Sequence, residues 1–338
     1  MVKKTDVIVG ILLAVLLIGG ASLYGSNEEK LDDKIVEQKS QVETKKELYA
    51  VKYPNVTWFD PVYVADEKGW FEEEGIKIEW VGEIPAGQFV PSVTSRSIDF
   101  ANRHTPLELT AIAGGAKIKL IAAGAMTSEE RPHMKYLVFE NSSIITIKDF
   151  VGKKIGINSF GACSEYVLKE YLRRNNIESN VQFVVIPDTN MEQALRQGQI
   201  DVGVLHSPYY EKSLISGGIR SIFSDYIVDD GLSGMLPYFT NEDLIKENPE
   251  VVRSFVKVLA KASDWTNENH KEAGEIFAKR RGIDLKYAGS WHYYKNGIIP
   301  DDTPVQWWID LLVREGKLNE GQIKAQDVYT NAYNPNFR

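Results

Sequence analysis

The segment Asn158-Ser159-Phe160-Gly161-Ala162-Cys163-Ser164 joins an apolar run, Lys154 to Ile157, to an amphipathic one, Glu165 to Arg174. A strand that enters a helix through small and hydroxyl residues leaves the first turn's backbone N–H groups unpaired, with the positive end of the helix dipole behind them. That end of the helix suits an anion or a polar ligand. Ser159 and Ser164 add hydroxyl donors, although a serine here also serves as a simple N-cap. Gly161, next to Ala162, lets a ligand approach the backbone closely.

Other apolar runs end in similar chemistry. Phe59 and Asp60 follow one, Asn102-Arg103-His104-Thr105 another, Asp188-Thr189-Asn190 a third, and His206-Ser207 with Tyr209 a fourth. Asx and Ser residues after strands are turn formers first, so the convergence of these segments carries more weight than any one of them. Arg103 is the natural counter-charge for an anion. Trp58, Tyr63, Phe160, Tyr209 and Tyr210 offer rings for a flat ligand, of which only one or two are expected outside the core.

Catalytic patterns are missing. His104, His133, His206, His270 and His292 show no His-x-x-x-His spacing, so neither a metal nor a cofactor is expected. No Gly-x-Ser-x-Gly elbow marks a nucleophile, and no Gly-x-x-x-x-Gly-Lys phosphate loop occurs. Cys163 with His104 or His206 has the chemistry of a thiol–imidazole pair, which spacing alone does not bring within reach. As the single cysteine, Cys163 excludes an intrachain disulfide and a cysteine-rich metal site.

Positioning such strand ends requires a sheet. Val56 to Phe59 reads as a strand, Val62 to Gly75 as a helix, and Ile76 to Val81 as an alternating strand. Strand and helix then alternate through Ile98–Ala101, a helix opened by Thr105-Pro106, and Ile118 to Ala123. Met126 to Met134 is polar and breaks the rhythm. A second copy of the pattern follows, with strands at 135–139, 154–157, 181–186, 200–205 and 219–223. Four helical stretches, 242–247, 249–267, 270–281 and 303–315, close the chain. Alternation of this kind predicts an α/β protein with parallel sheets whose strand ends face a cleft between two lobes.

The chain has 338 residues and a net charge of −8, with no cluster of basic and aromatic residues, which argues against nucleic-acid binding. Lys3-Lys4 precede an uncharged run from Val7 to Tyr24, the layout of a secretory signal or a signal-anchor, with all that follows outside the cytoplasm. The expected organisation is a signal or anchor over 1–26, a polar spacer over 27–53, one lobe from 54–126 plus 233–338, a second lobe over 135–225, and hinge crossings at 127–134 and 226–232.

Pro61 to Ile76, with its Ala65-Asp66-Glu67-Lys68-Gly69-Trp70-Phe71 centre, resembles the opening signature of the nitrate, sulfonate, taurine and thiamine-pyrimidine family of solute-binding proteins serving ABC importers. Asp149 to Gly156, Ala194 to Asp201 and Asn248 to Val252 agree with it in order, so the resemblance runs from about Val56 to Lys317. It implies a periplasmic-binding-protein-like fold of the two-crossing kind (type II), closing on a small ligand. The partners it implies are that ligand and a membrane permease, with the receptor itself a monomer. It also places the ligand on Asp60 to Tyr63, Arg103 to Thr105 and Ser159 to Ser164. The chain departs from the family in having no lipobox cysteine and in its Arg-His-Thr, where small residues are often seen. A sulfonate, taurine or nitrate-like anion is the expected ligand, with an aromatic heterocycle paired to Asp60 or Asp188 as the alternative. A pyrimidine-synthesising enzyme of the same fold needs a cysteine- and histidine-rich motif that this chain lacks, so no catalysis is expected.

Overall fold

A computed structural model describes residues 47–177, 180–289 and 291–338. The expected signal or anchor and most of the spacer lie outside the described residues. Among the described residues, no helix is long and apolar enough to cross a membrane.

Strand β1 (Tyr49–Asn55) pairs in parallel with β2 (Ile76–Glu83). The end of the stretch expected to be spacer is therefore sheet, because Val51 and Tyr53 alternate inward beneath a charged approach. Val56 to Phe59, expected as strand, is the loop that follows. Asp60 then caps a helix, Pro61–Glu67, by accepting from the Val62 N–H at 3.0 Å, with Pro61 at a position that needs no N–H. The expected helix over 62–75 is split at Gly69, whose φ of 72° lies in the left-handed region that favours glycine.

Strands β3 (Phe100–Asn102) and β4 (Ile118–Ala125) flank β10 (Leu236–Asn241), and both pair with it antiparallel. The second lobe holds five strands in the order β7 (Gln182–Val185), β6 (Lys154–Ile157), β8 (Val202–His206), β5 (Met134–Phe139) and β9 (Ile219–Ser224). Here β6 runs parallel to β7 and β8, whereas β5 is antiparallel to β8 and β9. The all-parallel expectation is thus corrected, and the crossings give the reason. A strand that enters a lobe from the other lobe starts at the cleft and runs away from it, opposite to neighbours that run toward it. Both β5 and β10 are such strands.

The first lobe's core gathers aromatic rings on the long Pro249–Glu268 helix, where Phe255 stacks on Phe100 with centroids 4.0 Å apart. Truncating a buried phenylalanine of this kind costs about 3–5 kcal/mol. The framework beneath the cleft is therefore stiff enough to hold side chains in fixed places.

Candidate functional site

Both lobes line one cavity of about 350 Å³. From the first lobe come Thr57, Trp58 and Phe59, then Arg103 and His104 at the end of β3, and Trp291 to Tyr293. Arg131 to His133 enter from the first crossing, and the second lobe adds Asn158, Ser159, Asp188, Thr189, His206 and Tyr209.

The geometry is built by strand ends. Register pairs Met134 at the start of β5 with His206 at the end of β8, so His133 and His206 face each other with ring centroids 4.8 Å apart. Helix Cys163–Arg174 begins at the end of the β6 turn and presents Cys163, while His104 precedes helix Thr105–Ala113 of the other lobe. Cys163 Sγ lies 3.2 Å from His104 Nδ1, 3.6 Å from His133 Nε2 and 3.2 Å from His206 Nε2. All four donor atoms fall within 4.8 Å of one another. The histidines gather although sequence spacing gave no metal motif, because each comes from a different segment.

Behind this cluster, His206 Nδ1 sits 3.1 Å from Asp188 Oδ1, and Asn158 Nδ2 donates to Asp188 Oδ2 at 3.2 Å. Burial disfavours charge on His206, but Asp188 and Cys163 outweigh it and raise its pKa to about 10. Burial likewise opposes ionisation of Asp188, yet the His206 charge and the hydrogen bonds hold its pKa below the usual value. His104 and His133 are held neutral, chiefly by burial, with Arg103 and neighbouring histidines adding to it.

Arg103 is 6% exposed, and its guanidinium carbon lies 5.1 Å from the Trp58 ring centre and 5.4 Å from that of Phe89. Among the described residues no carboxylate lies in ion-pair range of it. Burial raises the pKa of the buried Glu108 well above the usual carboxyl range. Arg103 Nε and the indole nitrogens of Trp58 and Trp291, all on cavity residues, are buried donors that find no acceptor among the described residues. Three orphaned donors around one cavity are a costly arrangement unless a ligand accepts from them.

Of the expected site residues, Arg103, His104, Ser159, Asp188, His206 and Tyr209 line the cavity. Others are placed elsewhere. Asp60 is fully buried and accepts from the Tyr53 and Tyr238 hydroxyls at 2.7 Å each, and the Tyr63 hydroxyl donates to the Val56 carbonyl at 2.9 Å. Both serve the core, since the helix that carries them points its first turn inward. Thr105 donates to the Met235 carbonyl at 2.8 Å, and Asn190 is exposed outside the lining.

The expected N–H cradle is partly satisfied from within. Gly161, at φ 78°, donates its N–H to the Glu165 carboxylate at 2.6 Å, Ala162 is the buried cap, Ser164 donates to Asn158 at 2.8 Å, and Phe160 is 60% exposed. Sequence reasoning missed Trp291 and the part played by His133. The loop around Trp291 gives no periodic signal, and His133 is legible only once β5 is known to run against β8.

A family model described as NMT1/THI5 like matches residues 56–273. The chain belongs to the NMT1/THI5-like family. Within this family, a Bacillus subtilis relative assigned to aliphatic sulfonate binding is 25% identical over 232 residues, covering 67% of this chain and 68% of the relative. A 4-amino-5-hydroxymethyl-2-methylpyrimidine phosphate synthase of Saccharomyces cerevisiae is 22% identical over 260 residues, covering 72% of this chain and 74% of the enzyme. The periplasmic aliphatic sulphonate binding protein of Escherichia coli superposes with a TM-score of 0.68 at 20% identity, covering 83% of this chain and 91% of that one. The two-lobed periplasmic-binding-protein fold expected of the family is the fold of this chain.

Proposed function

We propose that this chain is the extracytoplasmic receptor of an ABC importer, which captures a small anion between its lobes and delivers it to a membrane permease. One observation carries the reading: a cavity lined by strand ends of both lobes holds Arg103, buried and without a carboxylate partner, beside two unpartnered indole N–H groups. A sulfonate presents three oxygens to three such donors. A charged guanidinium in a dry site needs an anion to offset its desolvation, and a planar fork meets an oxyanion well. The sulfonate assignment of the Bacillus relative supports the same ligand class. Segment 1–26 is the export signal or the tether to the outer face of the membrane.

The heterocycle alternative has less to stand on. Asp60 is taken by Tyr53 and Tyr238, and Asp188 by His206 and Asn158, which leaves a basic ring nitrogen without a free acidic partner. The test is a thermal-shift screen of the full-length chain against alkanesulfonates, nitrate, pyrimidines and flavins. Stabilisation by a sulfonate or nitrate that is lost in Arg103→Ala supports the receptor reading. Stabilisation by heterocycles alone, or turnover of any of them, overturns it.

A further inference from the structure

We propose that the cleft binds a late first-row transition-metal ion through His104, His133, Cys163 and His206. The inference deepens the receptor reading, since it names what the cleft holds, but the coordination itself stands on geometry alone. A tetrahedral ion with M–N near 2.0–2.1 Å and M–S near 2.3 Å sets its sulfur–nitrogen edges at about 3.5 Å. The corresponding edges here are 3.2, 3.6 and 3.2 Å. The three sulfur–nitrogen edges match such a polyhedron, and with all four donor atoms within 4.8 Å of one another the imidazoles need only draw together to close it.

The chemistry of the set agrees. Three imidazoles and one thiol are borderline-soft donors, which favour ions from cobalt to zinc over magnesium or calcium. A thiol nucleophile needs one imidazole as its base, whereas Cys163 has three within 3.6 Å. His206 turns Nε2 to the cluster and Nδ1 to Asp188, the carboxylate–histidine arrangement that orients a metal-bound imidazole. On binding, the Cys163 thiol gives its proton to solvent and its sulfur lone pair to the ion, and the ligating nitrogens must be free of protons.

The ligands span the cleft. His104 belongs to the first lobe, His133 to the crossing, and Cys163 and His206 to the second lobe, so one ion ties both halves together. Formal charges then explain Arg103. A dication and Arg103 give +3, and a thiolate with Asp188 gives −2, so the filled site keeps one positive charge for a monoanion at Arg103. Metal and anion therefore fill adjoining parts of one cavity.

The experiment uses the full-length chain stripped with EDTA and titrated with Co²⁺, followed by the near-ultraviolet thiolate-to-cobalt band and the visible bands of tetrahedral cobalt. One equivalent is expected, displaced by Zn²⁺ and not by Mg²⁺ or Ca²⁺. Cys163→Ser should abolish the charge-transfer band, and His104→Ala and His206→Ala should each weaken binding at least about tenfold. His270→Ala, outside the cluster, should leave it unchanged. Circular dichroism of each variant, with His133→Asn as a milder substitution, separates lost ligation from lost folding. No band at stoichiometric Co²⁺, or a band that survives Cys163→Ser, overturns the proposal. Sulfonate stabilisation of the stripped protein reads the receptor function separately: if it persists while cobalt fails, the metal site falls and the receptor stands.

Discussion

Asp188 Oδ1 lies 3.1 Å from His206 Nδ1, on the edge of the imidazole opposite the one that meets Cys163. The carboxylate fixes which nitrogen faces the cluster without entering it. Asp188→Asn keeps an acceptor for the Nδ1–H and loses the charge, whereas Asp188→Ala loses both. Cobalt affinity should therefore fall about tenfold in the first and about 100-fold in the second. The charge-transfer band should keep its shape in both, because the sulfur ligand is untouched. A titration in which Asp188→Ala binds as tightly as the native chain refutes this positioning role.

Arg103 predicts opposite signs for stability and binding. A buried guanidinium without a carboxylate is costly in the ligand-free protein, and burial is also what lowers its pKa. Arg103→Met keeps the stem that packs on Trp58 and Phe89 and removes the charge. The ligand-free variant should be more stable by about 1–3 kcal/mol in denaturant unfolding. Its stabilisation by alkanesulfonates should disappear. A variant that is both less stable and still responsive would show that Arg103 is a structural residue.

Much of the fold is legible in residue patterns because alternation and Gly/Pro punctuation are local signals. The late helices show this: His270–Arg281 is found where it was expected, and Thr303–Arg314 ends one residue early. Strand direction is not local. The pattern of Met134–Phe139 looks the same whichever way its neighbours run, and only the crossing makes it antiparallel. The site suffers from this most. Arg103, His104 and His206 are visible as strand-end residues, but four ligands from four segments have no common spacing, and His133 joins them through β5–β8 register alone. The Asn158–Ser164 turn, the most conspicuous motif, is partly satisfied by its own Glu165. A side chain four residues on can occupy an N–H that sequence reasoning assigns to a ligand.

Asp225 stands where the chain leaves β9 for the second crossing, and it makes the ligand-free protein sensitive to pH. It accepts from Thr127 Oγ1 at 2.7 Å and from the Met134 N–H at 3.1 Å. Burial raises its pKa to about 7, those hydrogen bonds oppose the rise, Asp229 adds to it, and the His206 charge opposes it. A folded-state value above the ordinary 3.8 means that the native form binds the extra proton. Stability from this group is full below about 3.8 and is lost as pH rises through about 7. The loss at its limit is about 4 kcal/mol, at roughly 1.4 kcal/mol per pH unit. Asp225→Asn should flatten the fall in stability between pH 5 and pH 8 relative to the native chain. Unfolding curves of the two proteins that stay parallel across that range would rule the assignment out.

Two ion pairs join the lobes at a place remote from the cavity. Glu170, on helix Cys163–Arg174, accepts from Arg314 Nη1 at 2.7 Å, and Lys169 lies 3.2 Å from Glu315. Arg314 ends helix Thr303–Arg314, which packs against helix Thr105–Ala113 of the first lobe, so these pairs join one lobe to the other. Glu170 also binds Arg173 and Arg174 on its own helix, and its side chain is 3% exposed. The arginines are half in solvent, which reduces what each pair contributes. Arg314→Ala removes one of the two ion pairs between the lobes and leaves Glu170 its partners on its own helix, so the fold should lose only about 0.5–1 kcal/mol. If the lobes part as the receptor reading requires, an open form lacks this contact, and its loss from the closed form shifts the balance toward open. The ligand-free variant should have a larger radius of gyration in solution scattering and bind its anion several-fold more weakly, through faster release. Glu170→Gln removes the carboxylate charge that Arg173, Arg174 and Arg314 share and should lower thermal stability more than Arg314→Ala does. If Arg314→Ala instead changes thermal stability strongly while scattering and release rate stay native, the contact holds the fold together and does not govern closure.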